Sequence, residues 1–271
     1  MSSISAPRYH HTAVVYYSSL YVFGGYQGDI HSNSNLKNVN DLWQYKFENF
    51  TWCPVVLKND KSCLKPCPRS AHGSAVFQDK LYIFAGYDGN ARLRDMWCIT
   101  LDNDQDKEWK EVECFGESPP PICNFPVSVL NDFMYVFSGQ MGAQITNSLF
   151  RFHFPSNTWT RICTESLIRD TLEPPLRRYG HSMCAFENSL LIFGGAADAI
   201  LPNSLYRYDL DCENWEIVQV ASGSVVPSGR LFHAATICES FMYVFGGTTN
   251  DNNRSGEIFR ISLSAFPPDT L

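Results

Sequence analysis

Two histidines and two glycines stand close together near the start of the chain, in RYHHTAVVYYSSLYVFGGY at residues 8–26. Adjacent imidazoles such as His10 and His11 are a familiar beginning for a metal site, and Gly24-Gly25 could open a phosphate cradle. Cys63 and Cys67, in CLKPC, are the closest pair among ten cysteines and add a thiolate candidate. Each reading lacks its complement. No second cysteine pair stands at zinc-finger spacing, and no helix-period segment follows the glycines to present its N-terminus to an anion. The expectation is therefore no metal and no cofactor.

The same stretch recurs, which changes its meaning. RSAHGSAVFQDKLYIFAGY occupies 69–87, RYGHSMCAFENSLLIFGGA 178–196 and RLFHAATICESFMYVFGGT 230–248, with a copy lacking Arg and His, ICNFPVSVLNDFMYVFSGQ, at 122–140. Their last glycines, Gly25, Gly86, Gly139, Gly195 and Gly247, are 61, 53, 56 and 52 residues apart. A period of about 50 ending in a glycine pair is the kelch signature. Behind each glycine follow NDLWQYKF, RDMWCITL, NSLFRFHF, NSLYRYDL and SGEIFRIS, then Trp52, Trp109, Trp159 and Trp215, with no fifth tryptophan in step.

Each unit contains four short Val/Ile/Tyr/Phe/Trp-rich runs separated by turn residues, and so reads as four strands, A to D. The A-to-B connections, Ser18-Ser19, Gln78-Asp79, Asn131-Asp132, Glu187-Asn188 and Glu239-Ser240, predict hairpins. Four-stranded units at this period are propeller blades, each covering the apolar face of its neighbour. The fold class is thus all-β, a kelch β-propeller spanning 1–271 with repeats at about 8–56, 69–113, 122–163, 178–219 and 230–263. The fifth repeat lacks its outer strand and the chain opens inside a proline-bearing link, SAPRYHH. We therefore expect an excerpt or short isoform of a six-bladed propeller, with a five-bladed ring lacking one strand as the alternative.

The repeated residues acquire structural roles. Gly24, Gly25, Gly86, Gly139, Gly194, Gly195, Gly246 and Gly247 end strand B where sheets crowd together. His11, His72, His181 and His233, each three residues after an arginine, are expected to hydrogen-bond near the channel, since a catalytic histidine would not recur once per blade. Arg8, Arg69, Arg178 and Arg230 begin the innermost strands and are expected to ring a channel mouth.

Composition narrows function further. Apolar residues are 44% and charged residues 18%, which is globular, and the net charge of -7 opposes general nucleic-acid binding. Neither a signal peptide nor a bilayer-spanning apolar run is present, so membrane insertion is not expected and Asn49-Phe50-Thr51 and Asn253-Arg254-Ser255 are chance glycosylation triplets. The cysteines read as reduced thiols; Cys98, Cys184 and Cys238 lie in apolar runs as small hydrophobes.

The loops carry a narrower likeness. HSNSNLKNVNDLWQYKF, CNFPV, GQMGAQITNSLF, FGGAADAILPNSL and NNRSGEIFR together make the chain resemble, nearly end to end, the kelch region of a kelch-BTB family of cullin-type ubiquitin-ligase adaptors. The resemblance implies a substrate receptor in which BTB domains engage the cullin and the propeller recruits Ras-subfamily small GTPases. It implies a cytoplasmic protein, with endomembranes as a further location. This sequence contains no BTB domain, so cullin contact would require domains it lacks.

B-to-C and D-to-A loops should share one face, where Tyr26, Tyr87, Arg92, Arg94 and the mouth residues Arg69, Arg178 and Arg230 are the expected partner contacts, since Tyr and Arg are favoured anchors. The alternative is that these loops are solvated and the arginines pair with carboxylates. No enzyme is expected: the sialidase box is absent, and the acidic, acidic, histidine spacing of iron-dependent kelch lyases fails because Arg177 stands between Glu173 and His181. A kelch scaffold for a cytoskeletal or signalling partner remains the competing function.

Overall fold

A computed structural model of the chain describes residues 5–29, 34–58, 64–102, 107–162, 174–221 and 223–264. Cys63, Glu173 and the middle of the first long loop lie outside the described residues. The chain is an all-β, five-bladed propeller, and no helix occurs among the described residues.

In blade 1, β1 (Thr12–Tyr16) and β2 (Ser19–Phe23) form the inner hairpin. A separate two-stranded arm follows, β3 (Tyr26–Asp29) with β4 (Ser34–Asn38), and then β5 (Leu42–Lys46) and β6 (Thr51–Pro54) complete the blade. Blade 2 is β7 (Gly73–Phe77), β8 (Lys80–Tyr87), β9 (Arg92–Thr100) and β10 (Lys110–Glu111). Its outgoing link contributes β11 (Phe115–Gly116), which pairs parallel with the outer strand of blade 3. Blade 3 is β12 (Val127–Leu130), β13 (Phe133–Met141), β14 (Gln144–His153) and β15 (Thr158–Ile162). Blade 4 is β16 (Ser182–Phe186), β17 (Ser189–Phe193), β18 (Leu205–Asp209) and β19 (Asn214–Ile217).

Before blade 5, β20 (Arg230–Leu231) pairs with β23 (Thr248–Thr249). The blade itself has three described strands, β21 (Ala234–Cys238), β22 (Phe241–Phe245) and β24 (Ile258–Ser262). In the first hairpin the turn falls at Tyr17-Ser18, one residue earlier than expected, and Ser19 opens β2. Tyr17 takes φ 48°, as do its counterparts Gln78, Asn131, Glu187 and Glu239 within a few degrees.

Apolar residues from two facing sheets make each core, so the described residues form four cores at four blade junctions. One unit recurs in them. The strand-B phenylalanine of one blade meets an inner-strand ring and an outer-strand tryptophan of the next. Phe23 lies 5.3 Å from both His72 and Trp109. Phe84 lies 5.8 Å from Phe125 and 4.8 Å from Trp159, and Phe137 lies 5.7 Å from His181 and 5.3 Å from Trp215. The tryptophans are therefore bonds between blades, placed by the strand D that each closes.

Backbone hydrogen bonds tie the junctions in both directions. Around the channel, Phe232 donates to Gly180, Gly180 to Asn124, Asn124 to Ala71 and Ala71 to His10, at 2.7–3.0 Å. All five of these residues are left-handed, with φ 51–65°. In return, the second glycine of a blade donates to a carbonyl of the next: Gly25 to Arg69 at 2.8 Å and Gly195 to Arg230 at 2.8 Å. A Cβ on Gly24 would lie 2.7 Å from the Arg69 carbonyl, which is why this position must be bare.

Candidate interaction face

Arginine placement is the main correction to the sequence reading. Arg69, Arg178 and Arg230 are 0% exposed and cannot offer a contact surface at the channel mouth. Each spends its guanidinium inside its own blade. Arg69 donates to the Ala85 carbonyl at 3.0 Å and forms two 2.7 Å bonds with Asp95. Arg8 does the same with Gly24 and Asp41. Arg230 donates to the Gly246 carbonyl and reaches Glu257 at 3.4 Å. Arg178 donates to the Gly194 carbonyl and sits 5.3 Å over the Tyr206 ring, with no carboxylate partner among the described residues.

A bidentate guanidinium clamp of this kind joins the start of strand A to the start of strand C. Burial alone would raise the pKa of Asp41 and Asp95, yet the hydrogen bonds from Arg8 and Arg69, and from the Trp43 and Trp97 indoles, hold both below the usual carboxylate range. A sequence signal for the clamp existed: Asp41, Asp95 and Glu257 head strand C in three of the four blades that have the arginine, and blade 4 has Ser204 there. Blade 3 lacks both partners, with Ile122 and Ser148 in their places.

The histidines line the channel, a cavity of about 410 Å³ that includes His10, His11, His72, His181 and His233. His72 Nε2 bonds the Thr12 hydroxyl at 2.7 Å and His233 Nε2 bonds Ser182 at 2.8 Å, each reaching back to the preceding blade. Blade 3 has Phe125 at the histidine position, facing Gly73, and Pro126 at the hydroxyl position. His181, which follows Pro126 around the ring, accordingly has no hydroxyl of the preceding blade to bond. Burial, with neighbouring guanidinium charge, pushes His72 down to about 3 and His233 to about 4, and His181 well below its ordinary value. His72 and His233 are thus neutral connectors between blades. Among the described residues, no cluster of three His, Cys, Asp or Glu could hold a metal ion.

The remaining expected contacts, Tyr26, Tyr87, Arg92 and Arg94, lie together where strand B leaves the blade. Tyr26 opens the β3–β4 arm, bridges Tyr9 and packs 5.4 Å from its ring. Asn38, at the end of that arm, donates to the Tyr87 carbonyl at 3.0 Å, so the first two blades share one ridge. The Arg92 guanidinium lies 5.6 Å over the Tyr87 ring, and the Tyr87 hydroxyl donates to Gly89. Asp88 Oδ1 accepts from the backbone of Asn90 and Ala91, which fixes the loop tip. Arg94 is exposed.

Sequence reasoning missed the aromatic neighbour of this ridge. His10 packs 5.0 Å from Phe232, itself 46% exposed and 6.1 Å from Tyr179. Phe232 fills the variable place before the repeat histidine, where no pattern marked it. The arrangement offers ring faces, a guanidinium and amides, and so suits protein recognition better than bond chemistry.

Comparison with known proteins agrees with the propeller fold. The KLHDC2/KLHL20/DRC7 Kelch-repeats domain matches residues 1–195. The chain belongs to the kelch-repeat family. A second model, the Attractin/LZTR1 beta-propeller, matches residues 134–264. The chain is 53% identical over 267 residues to Leucine-zipper-like transcriptional regulator 1 homolog of Drosophila melanogaster, covering 98% of this chain and 27% of that protein. It is 48% identical over 318 residues to human Leucine-zipper-like transcriptional regulator 1, covering 98% of this chain and 37% of the relative. Human Kelch domain-containing protein 10 is more distant, at 24% over 271 residues. The kelch chain thus spans between about a quarter and two fifths of the regulators that it closely resembles. No helix among the described residues is long and apolar enough to cross a membrane.

Proposed function

We propose that this propeller is the substrate-recognition module of a kelch-BTB adaptor, recruiting Ras-subfamily small GTPases for a cullin-type ubiquitin ligase. One observation carries the reading: likeness to the regulators runs through 98% of the chain at 48–53% identity, and so includes loops that the fold does not dictate. The ridge of Tyr26, Tyr87, Arg92 and Arg94 supplies the contact chemistry, because ordered aromatic and guanidinium groups lose little freedom when a partner docks. Cullin engagement belongs to BTB domains outside this sequence.

The test is titration calorimetry of the chain against Ras-subfamily GTPases loaded with GDP or with a GTP analogue. Saturable binding in one nucleotide state, weakened roughly tenfold or more by Tyr87→Ala with Arg94→Ala, is expected, in line with hot-spot losses. No binding by a folded propeller in either state would overturn the proposal. Undiminished binding by the double variant would move the contact off this ridge.

A further inference from the structure

Blade 4 keeps the arginine of the guanidinium clamp without its acid. Strand C meets strand B in one register in every arginine-bearing blade: Leu42 pairs with Phe23, Met96 with Phe84, Leu205 with Phe193 and Ile258 with Phe245. The residue just before that pair is Asp41, Asp95 or Glu257 in blades 1, 2 and 5, and Ser204 in blade 4. Arg178 is nevertheless as buried as its counterparts. Its guanidinium donates to the carbonyls of Leu176 at 2.8 Å and Gly194 at 2.9 Å, and meets no carboxylate among the described residues. Burial holds its pKa below the ordinary guanidinium value, an effect that Tyr206 partly offsets. A buried cation without its anion is costly, so the fold has left a charge to be answered.

We propose that Ser204 is a phosphorylation site whose phosphate supplies the anion that Arg178 lacks. Asp41 and Asp95 each present two oxygens to their arginines at 2.7–2.9 Å. The serine hydroxyl is shorter and uncharged. A phosphate lengthens the arm and adds about −1.5 to −2 charges with three acceptor oxygens, which the planar guanidinium fork matches in pairs. Length is no obstacle, because Glu257, one methylene longer than aspartate, occupies the same place and reaches Arg230. Ser204 is half-buried and follows the exposed Asn203 at the end of the B-to-C loop, which is where a protein kinase can engage it. ATP is the phosphoryl donor: the bond from Oγ to the γ-phosphorus forms as the bond from that phosphorus to the β-bridging oxygen breaks. ADP leaves, and the hydroxyl proton passes to the kinase.

Serine alone does not define the site. Blade 3 has Ser148 at the same place, but Ile122 replaces the arginine, so a phosphate there would find no guanidinium in its own blade. Closing the clamp in blade 4 also reaches beyond that blade. The Arg178 carbonyl accepts from Gly139 N–H at 3.0 Å and its N–H donates to the Ser138 hydroxyl oxygen at 2.8 Å, both in blade 3. A phosphate on Ser204 would thus fasten strand C of blade 4 to the junction between the two blades.

The test compares the chain carrying phosphoserine encoded at position 204 with the unmodified chain. The thermal midpoint should rise by about 3 °C or more, the size expected of a charge-assisted bond to a buried group in a chain of this length. Ser204→Asp should give part of that gain and Ser204→Asn none. Ser148→Asp should give none either. On phosphorylation the Arg178 Nε–H signal should move downfield in NMR and exchange more slowly with water, a readout that needs no arginine variant. Inorganic phosphate added to the unmodified chain should leave both midpoint and signal in place; if it reproduced both shifts, the site would be one for a free anion and the proposal would fail. Mass spectrometry of the chain isolated from its own cells should find phosphate on Ser204. A Ser204 free of phosphate in that protein, a phosphoserine that leaves the midpoint unchanged or lowers it, or an Arg178 signal that does not move, would each overturn the proposal.

Discussion

Phe23 and Phe245 hold the same place in their repeats, yet one is 1% exposed and the other 53%. Both precede the glycine pair of a VFGG run, and both end the second strand of an inner hairpin. The difference is the neighbour. Blade 2 brings His72 and Trp109 onto Phe23, while no described blade covers the corresponding side of blade 5. Gly24 and Gly246 repeat the contrast: an added Cβ would meet Arg69 and His72 within 2.9 Å at the first, and only a carbonyl at 3.3 Å at the second. A kelch motif is therefore a half-contact, and its conspicuous residues become structural only when the next unit arrives.

The largest break in this comparison should come from truncating the two phenylalanines. Phe23→Ala is expected to cost about 3–5 kcal/mol by cavity formation, and Phe245→Ala no more than about 0.5 kcal/mol as a surface change. Urea midpoints of the two variants measure this; equal losses would mean that the flank of blade 5 is covered in solution.

A second, smaller contrast lies among the channel histidines. His72→Phe strands the Thr12 hydroxyl and should cost about 1–3 kcal/mol, while His181→Phe strands no hydroxyl of the preceding blade and should cost less. These groups also set an acid response. Their folded pKa values, about 3 for His72 and about 4 for His233, lie below the ordinary 6.5. The unfolded chain thus takes up protons first, so their contribution is full above pH 6.5 and lost as pH falls toward 4 and then 3. Unfolding midpoints between pH 7 and 4.5 should drop, and less steeply in His72→Phe.

The smallest contrast concerns the glycines. Both Gly24→Ala and Gly246→Ala incur about 1–2 kcal/mol of left-handed strain, since their φ values are 66° and 70°. Overpacking against Arg69 and His72 should add about 1 kcal/mol or more at Gly24 alone. Thermal melts of the pair resolve the difference.

Repeat period, hairpins and the crowding of glycine pairs were legible because each is local and recurs. The β3–β4 arm was not, since its polar residues lack strand alternation, and neither was β11, whose two residues pair with a strand more than forty positions on. Arginine burial escaped a reading by position in the strand; what the four share is a bond to the carbonyl at the end of strand B in the same blade, a backbone partner that no residue type announces. Of the expected contacts, Tyr26, Tyr87, Arg92 and Arg94 share a ridge because each follows strand B or opens strand C. Phe232 escaped because aromatic character there belongs to one blade alone.

The bonds between the left-handed residues around the channel all point one way. From Phe232 to His10 each blade hands an N–H backward to the carbonyl of its predecessor. Such a series has a grammar, like hooks and eyes sewn on a ribbon: in this row a unit after blade 5 offers the hook and a unit before blade 1 the eye, while the glycine row asks the reverse. A blade entering back to front would set like groups against each other. Cutting the ribbon between blades and rejoining its ends elsewhere should thus preserve the assembly, while reversing any one blade should not.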